Sequence, residues 1–180
     1  ILIAFTSTAT AVFGVYFKLQ SFVFMPVFGL NNGMVPIISY NFGAARPQRV
    51  WKTVRLSTIT AMVIMVLGFA IFQLFPSTLL GLFDASETML AIGVPALRII
   101  SVTFLCAGAT FIFSGAFQAL GSPNLALILG LTRQIVIVLP VCLILALTDP
   151  ALVWFCFPAA EIISCLLAVF FYRRLRLQKI

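Results

Sequence analysis

Long apolar stretches constrain this chain more than any other feature of its sequence. Each stretch contains at most one charged side chain, and short breaks with Pro, Gly or charged residues separate them. A helix needs about 20 apolar residues to cross the hydrocarbon layer of a membrane. The sequence therefore predicts an all-α fold, a polytopic transmembrane helix bundle. The predicted spans are 9–42, 57–75, 88–120, 124–147 and 151–172.

Composition excludes an ordinary soluble domain. Hydrophobic residues make up 63% of the chain and charged residues 8%, whereas soluble domains have about 25% charged residues. The net charge is +7, but most basic residues lie in two clusters, beyond the first span and at the C-terminus. The clusters are Arg46, Arg49, Lys52 and Arg55, then Arg173, Arg174, Arg176 and Lys179.

This clustering of positive charge indicates membrane topology. Basic residues next to membrane spans are retained on the cytoplasmic side. We therefore expect an integral membrane protein of the bacterial plasma membrane, with a cytoplasmic C-terminus and no nucleic-acid partner. The loops around Asp84 and Asp149 are then expected on the outer side.

The stretch 25–49 is typical of a transporter helix. It is largely apolar, yet it contains Pro26 and Pro36 together with Gly29 and Gly33. Backbone groups inside a membrane must be satisfied within the protein, so an interrupted helix needs neighbouring helices or a wet cavity. These residues predict a bend in the first span.

Several motifs in this chain resemble one transporter family in order and spacing. The first consists of Gly29, Gly33, Pro36, Ser39, Tyr40, Asn41, Gly43, Ala44 and Arg49. The later ones are 117–121 with Pro123 and Ala126, then Leu131, Arg133, Gln134 and Pro140, and finally Pro158 with Glu161. On these residues the sequence resembles the multidrug and toxic compound extrusion (MATE) family of cation-coupled antiporters.

The resemblance implies twelve helices in two six-helix lobes around a central cleft. Residues 1–180 would then be the C-terminal transmembrane lobe without its first helix, and the N-terminal lobe would be missing. The start at Ile1, without an initiator methionine, also leads us to expect a fragment. Sodium-coupled members of one branch place an acidic residue on the tenth helix. No Asp or Glu follows Glu87 in the matching span 88–120.

The resemblance implies a cation-coupled antiporter that exports lipophilic, often cationic drugs and toxins by alternating access. The coupling ion would be H+ or Na+, with no cofactor and no catalytic or metal-binding residues. The expected partners are the lipophilic substrate, membrane lipid and the missing lobe. The family motif and the bend would rest on Pro26, Gly29, Gly33, Pro36, Asn41 and Gly43. Asn41 and Gly43 fit either a helix C-cap or a gating contact between lobes.

Glu161 is the carboxylate that lies well inside a predicted span. An ionisable group in a membrane is costly and indicates function or a buried partner. Arg133 and Glu161 both lie about 15 Å from the cytoplasmic ends of their helices, at 1.5 Å per residue. Antiparallel neighbours would bring them level. Either they form a structural ion pair, or Glu161 handles a proton or a cationic substrate.

Three amides complete the predicted substrate or ion pathway. Gln20 and Asn31 share a face of the first span with Phe24 and Val27, a mixture that suits lipophilic cations. Gln118 ends a stripe of small, weakly polar residues on the third span. That stripe suits either close helix packing or the lining of a cavity.

Two other functions compete with drug export. One is a lipid-linked oligosaccharide flippase of the same superfamily, which usually has a cationic cavity. Here Lys18, Arg98 and Arg133 are the cations within the spans, which favours drug export. The other is an intramembrane enzyme. The chain contains no histidine and no paired carboxylates in a span, so the usual groups for metal binding or hydrolysis are missing.

Overall fold

The computed structural model describes residues 7–148 and 150–178 of the chain. Asp149 of the predicted outer loop and Lys179 of the basic tail lie outside the described residues. Helices occupy almost all of the described chain, and these residues form no strand. The prediction of an all-α bundle of apolar helices is confirmed.

The first two helices form a long antiparallel pair. Helix α1 spans Ser7–Gly43 and continues through Pro26 and Pro36. Helix α2 spans Pro47–Leu74, so it begins well before the predicted span at 57. Pro47 fixes the backbone at the first helical position and starts the helix directly after the turn. The basic residues 49–55 therefore lie on the first turns of α2 and not in a loop.

The predicted third span is broken into two helices. After the short helix α3, Pro76–Gly81, helix α4 spans Glu87–Ser101 and helix α5 spans Phe104–Ala119. Their axes differ by 48°. Ser86 caps α4 by accepting a hydrogen bond from the backbone N–H of Met89 at 3.3 Å.

The fourth predicted span contains an irregular middle section. Helix α6, Pro123–Leu131, leads into a π-helical segment, Thr132–Val138, and then helix α7, Leu139–Thr148. A 3₁₀ segment, Pro150–Phe155, precedes the last helix α8, Cys156–Gln178. The predicted turn at 121–124 lies between α5 and α6, where Gly121 has a φ of 69°.

By length and composition, four helical stretches can cross a membrane: Thr8–Gly43, Pro47–Leu74, Pro123–Thr148 and Leu152–Leu177. The bent pair α4 and α5 would make a fifth. The assignment of residues 1–180 to a C-terminal lobe stays a prediction.

Small residues let the central helices approach closely. A Cβ added at Gly108 on α5 would lie 3.2 Å from the backbone oxygen of Ala61 on α2. A Cβ added at Gly115 would collide with Oδ1 of Asn31 on α1. Such contacts are typical of helices that pack in lipid, where van der Waals packing replaces the hydrophobic effect between helices. They make α5 the centre of the bundle, between α1, α2 and α8.

Candidate functional site

A cavity of about 330 Å³ lies between α1, α5, the π-helical segment and α8. Its wall combines aromatic rings with a few polar and charged side chains. The lining residues are Phe13, Tyr16, Phe17, Gln20, Ser21, Phe24, Phe28, Thr103, Ala107, Phe111, Arg133, Gln134, Val138, Phe157, Ala160 and Glu161. Three of the predicted pathway residues, Gln20, Arg133 and Glu161, therefore meet at one cavity.

Arg133 and Glu161 form the ion pair that the sequence allows. Nη1 of Arg133 donates a hydrogen bond to Oε2 of Glu161 at 3.2 Å. The Glu161 side chain is 8% exposed, whereas that of Arg133 is 40% exposed. The carboxylate is thus held inside the bundle, and the guanidinium reaches it from the more open side.

The second carboxylate oxygen of Glu161 is the unusual feature of the pair. Oε1 is buried and has no hydrogen-bond partner among the described residues. The hydroxyls of Tyr16 and Thr110 lie near this carboxyl, but Thr110 donates its own hydrogen bond to the backbone oxygen of Cys106 at 3.1 Å. A buried acceptor without a donor is costly. Glu161 therefore has a free position for a proton or a cation.

Arg133 lies on the π-helical segment, Thr132–Val138. A π-helical turn places one more residue in each turn than an α-helix does, and such turns often occur at functional sites. Here the segment directs Arg133, Gln134 and Val138 toward the cavity. The sequence gives no warning of it, because neighbouring helices and not a local motif decide where the extra residue fits.

Aromatic rings form most of the remaining wall. Phe13 stacks on Phe157 with ring centroids 5.6 Å apart, and Phe28 lies 4.8 Å from Phe111. Flat apolar surfaces beside the pair of Arg133 and Glu161 suit lipophilic ligands.

Asn31, which the sequence predicts in the substrate or ion pathway, is not among the residues that line this cavity. Gly115 lets α5 approach α1 at this level, and Asn31 is packed between the two helices. Its Oδ1 is buried without a partner in the described part of the chain. The place of Asn31 in the substrate or ion pathway stays a prediction.

Gln118 also lies outside the cavity. It is exposed, and its amide donates to the backbone oxygen of Ser114 at 3.4 Å. The cavity is lined by Thr103, just before α5, and by Ala107 and Phe111 on α5. Gln118 lies about 16 Å along the helix axis from Ala107 at 1.5 Å per residue. The residues of the polar stripe near the start of α5 line the cavity. Those toward the C-terminal end of α5 pack against other helices or are exposed.

The motif residues of α1 lie mainly on a face without neighbours. A Cβ added at Gly29, Gly33 or Gly43 would meet no atom within 4 Å among the described residues. Asn41 is buried, and its amide donates to the backbone oxygen of Ile37 at 2.8 Å. The backbone N–H of Arg46 donates to the oxygen of Asn41 at 2.9 Å. Asn41 thus supplies a backbone acceptor near the end of α1, and its role as a C-cap or a gating contact stays a prediction.

Tyr16 and Gln134 line the cavity but are not among the residues predicted for the pathway. Tyr16 lies one helical turn before Gln20, so extending the face of Gln20 backwards would have found it. Gln134 adjoins Arg133, but only the π-helical geometry brings both to the same wall. Within the described residues, no group of three or more His, Cys, Asp or Glu side chains could hold a metal ion.

Comparisons with known proteins agree with this fold. The MatE family model matches residues 1–144. The multidrug export protein MepA of Staphylococcus haemolyticus is 27% identical over 137 residues, which cover 76% of this chain and 30% of that protein. MepA of Staphylococcus aureus strain MRSA252 is 30% identical over 132 residues, 72% of this chain and 29% of that protein. This chain thus spans less than a third of these relatives.

Two solved structures are similar over most of the chain. The MATE multidrug transporter DinF-BH matches with a TM-score of 0.84 and 36% identity, over 91% of this chain and 37% of that chain. The bent form of the Vibrio cholerae MATE transporter VcmN matches with a TM-score of 0.91, over 99% of this chain and 41% of that chain. Its identity is 18%, so that likeness shows the fold alone.

Proposed function

Because this chain belongs to the MatE family, a family of transporters and not of enzymes, we propose that it forms part of a cation-coupled antiporter. The complete protein would export lipophilic, often cationic compounds in exchange for protons or sodium. The observation that carries the proposal is the buried Glu161 carboxylate, which has one oxygen paired with Arg133 and the other free.

The proposed exchange uses the free oxygen of Glu161. A carboxylate in a low-dielectric site binds a cation more strongly than it does in water, but it cannot hold two competing cations at full strength. Arg133 neutralises part of its charge at 3.2 Å. A bound proton or sodium ion and a cationic substrate would then exclude each other, which is the basis of antiport.

The second lobe would cover the open face of α1. Gly29 and Gly33 lie on that helix without neighbours among the described residues, and Phe22 and Tyr40 are 69% and 72% exposed. Transporters of this type bind substrate between two repeats, which rock against each other around the site. We propose that the cavity beside Glu161 is the part of the substrate pathway that this lobe contributes.

Drug export fits the cavity better than transport of an anionic lipid-linked sugar. Of the three cations predicted within the spans, Arg133 lines the cavity and is already paired with Glu161. Lys18 lies over the ring of Phe83, with Nζ 5.7 Å from the centroid, and Arg98 is exposed. A cavity for a polyanionic substrate would need more unpaired positive charge.

The test is transport by the complete protein in vesicles with an imposed ion gradient. We expect a proton or sodium gradient to drive movement of the fluorescent lipophilic cation ethidium without ATP, and an ionophore to abolish that movement. Transport of a lipid-linked oligosaccharide without ethidium movement would support the flippase instead. Movement of neither compound under either gradient would contradict the antiporter.

A further inference from the structure

A second cavity, of about 700 Å³, lies at the end of the bundle where the basic clusters meet. It is a groove between the start of α2, the middle of α5 and the end of α8. The residues relevant here are Trp51, Lys52, Arg55, Phe113, Tyr172 and Arg176. None of them belongs to the cavity around Glu161, so this groove is a separate feature.

Positive charge without counter-charge lines the groove. The side chains of Lys52, Arg55 and Arg176 are exposed and make no ion pair with a carboxylate of the described residues. The chain has four carboxylates. Glu161 is paired with Arg133, while Asp84, between α3 and α4, and Glu87, at the start of α4, lie beyond the other end of α2. Asp149 lies outside the described residues. The groove is therefore suited to an external anion.

Aromatic rings form a rigid floor beneath these cations. Tyr172 stacks on Phe113 with centroids 4.6 Å apart, and Trp51 meets Tyr172 edge to face at 5.5 Å. Nε1 of Trp51 is buried and has no hydrogen-bond acceptor within the described residues. A buried indole N–H usually finds an acceptor, but this one lies beneath the groove without one.

The groove continues into a surface that is apolar. Ile59, which also lines it, is 51% exposed, and Leu56 and Val63 on the same helix are both 55% exposed. A ligand with an anionic head and a long apolar part would match both regions. Basic pockets between transmembrane helices on the cytoplasmic side are suited to lipid headgroups.

We propose that this groove binds the phosphate of an anionic phospholipid. Lys52, Arg55 and Arg176 contact the phosphate oxygens, and an acyl chain lies along Ile59. By the positive-inside rule, this end faces the cytoplasmic leaflet, where anionic lipids attract basic residues. The bound lipid would join α2 and α8 at their basic ends.

The test measures binding of phosphatidylglycerol to the complete, delipidated transporter by native mass spectrometry. We expect the double variant Arg55→Gln/Arg176→Gln to bind it about tenfold more weakly, or worse, because two charge-assisted contacts are lost. The control Arg173→Gln/Arg174→Gln removes the same charge from exposed residues of α8 outside the groove. It should bind within about twofold of the unmodified protein, since diffuse attraction changes little.

Further binding measurements distinguish an anionic phospholipid from other ligands. We expect phosphatidylcholine, which has no net charge, to bind equally to the unmodified protein and to both double variants. Equal losses in the two double variants would overturn the proposal in favour of diffuse attraction. Displacement of the lipid by inorganic phosphate would assign the groove to free phosphate and overturn it too.

The proposal can still be tested if a double variant does not fold. If either double variant is not monodisperse, the single variants Lys52→Gln and Arg174→Gln make the same comparison, with weaker binding expected only for the first. A structure of the complete protein with a carboxylate of its own chain in the groove would also overturn the proposal.

Discussion

At the scale of single residues, the sequence indicates the central pair but not its surroundings. Similar depth in two antiparallel helices predicts that Arg133 and Glu161 meet, and they do at 3.2 Å. The free Oε1 and the nearby hydroxyl of Tyr16 depend on how α1, α5 and α8 pack together. No local pattern contains that information, because the partners come from distant parts of the chain.

The first prediction concerns the stability that the pair provides. Arg133→Gln should lower the free energy of unfolding of the complete protein by about 3 kcal/mol, because it leaves a buried carboxylate without its partner. Removing one partner of a buried ion pair costs about 3–5 kcal/mol. The lower value applies here because the Arg133 side chain is 40% exposed. Thermal or denaturant unfolding in detergent micelles measures the change.

A double-variant cycle is the control for this prediction. Glu161→Gln combined with Arg133→Gln removes both charges, so it should recover at least about half of the loss. Additive losses in the double variant would mean that the two side chains stabilise the bundle independently, against the contact seen here.

At the scale of helices, the broken third span is the clearest departure from sequence reasoning. Residues 88–120 form an almost uninterrupted apolar run, yet α4 and α5 differ in direction by 48°. The break occurs at Val102 and Thr103, without a local Gly or Pro. Gln73 on α2 stabilises it, because Nε2 donates to the backbone oxygen of Arg98 at 2.9 Å and to Oγ of Ser101 at 3.1 Å.

The second prediction tests this support of the break. Gln73→Leu should destabilise the complete protein by about 1 kcal/mol, because the two hydrogen bonds from Nε2 are lost. The loss stays small because Oγ of Ser101 still donates to the backbone oxygen of Arg98 at 3.0 Å. Thr53→Val on the same helix is the control. The Thr53 hydroxyl donates only within α2, to the backbone oxygen of Arg49 at 2.9 Å. Unfolding in detergent micelles should show little change for Thr53→Val and a clear loss for Gln73→Leu.

At the scale of the whole molecule, the patterns of charge and hydropathy predict more of the structure than they do for single helices or side chains. The all-α bundle and its apolar helices follow from composition and spacing, and the family motifs predict the transporter fold. The cavity does not follow from them, because its wall combines side chains from α1, α5, the π-helical segment and α8. Shape between helices is decided by packing, and one sequence does not encode it in any single stretch.

The third prediction concerns orientation. In a variant of the complete protein without its native cysteines, Gln48→Cys at the basic end should react with a membrane-impermeant maleimide only after the cells are permeabilised. Thr88→Cys, at the start of α4 and exposed, should react in intact cells. The reason is that basic ends are retained in the cytoplasm. The reverse labelling pattern would contradict the proposed topology.

The proposed role of Glu161 in transport is tested most directly by ethidium efflux in cells that lack other drug exporters. The complete transporter with Glu161→Gln is compared there with the unmodified protein. Glutamine keeps the shape of the side chain but removes its charge, so efflux should fall at least about tenfold at equal membrane levels. Glu87→Gln, at an exposed carboxylate in the first turn of α4, should leave efflux unchanged. Full efflux by Glu161→Gln would contradict a role of Glu161 in transport and leave its pair with Arg133 a purely structural role.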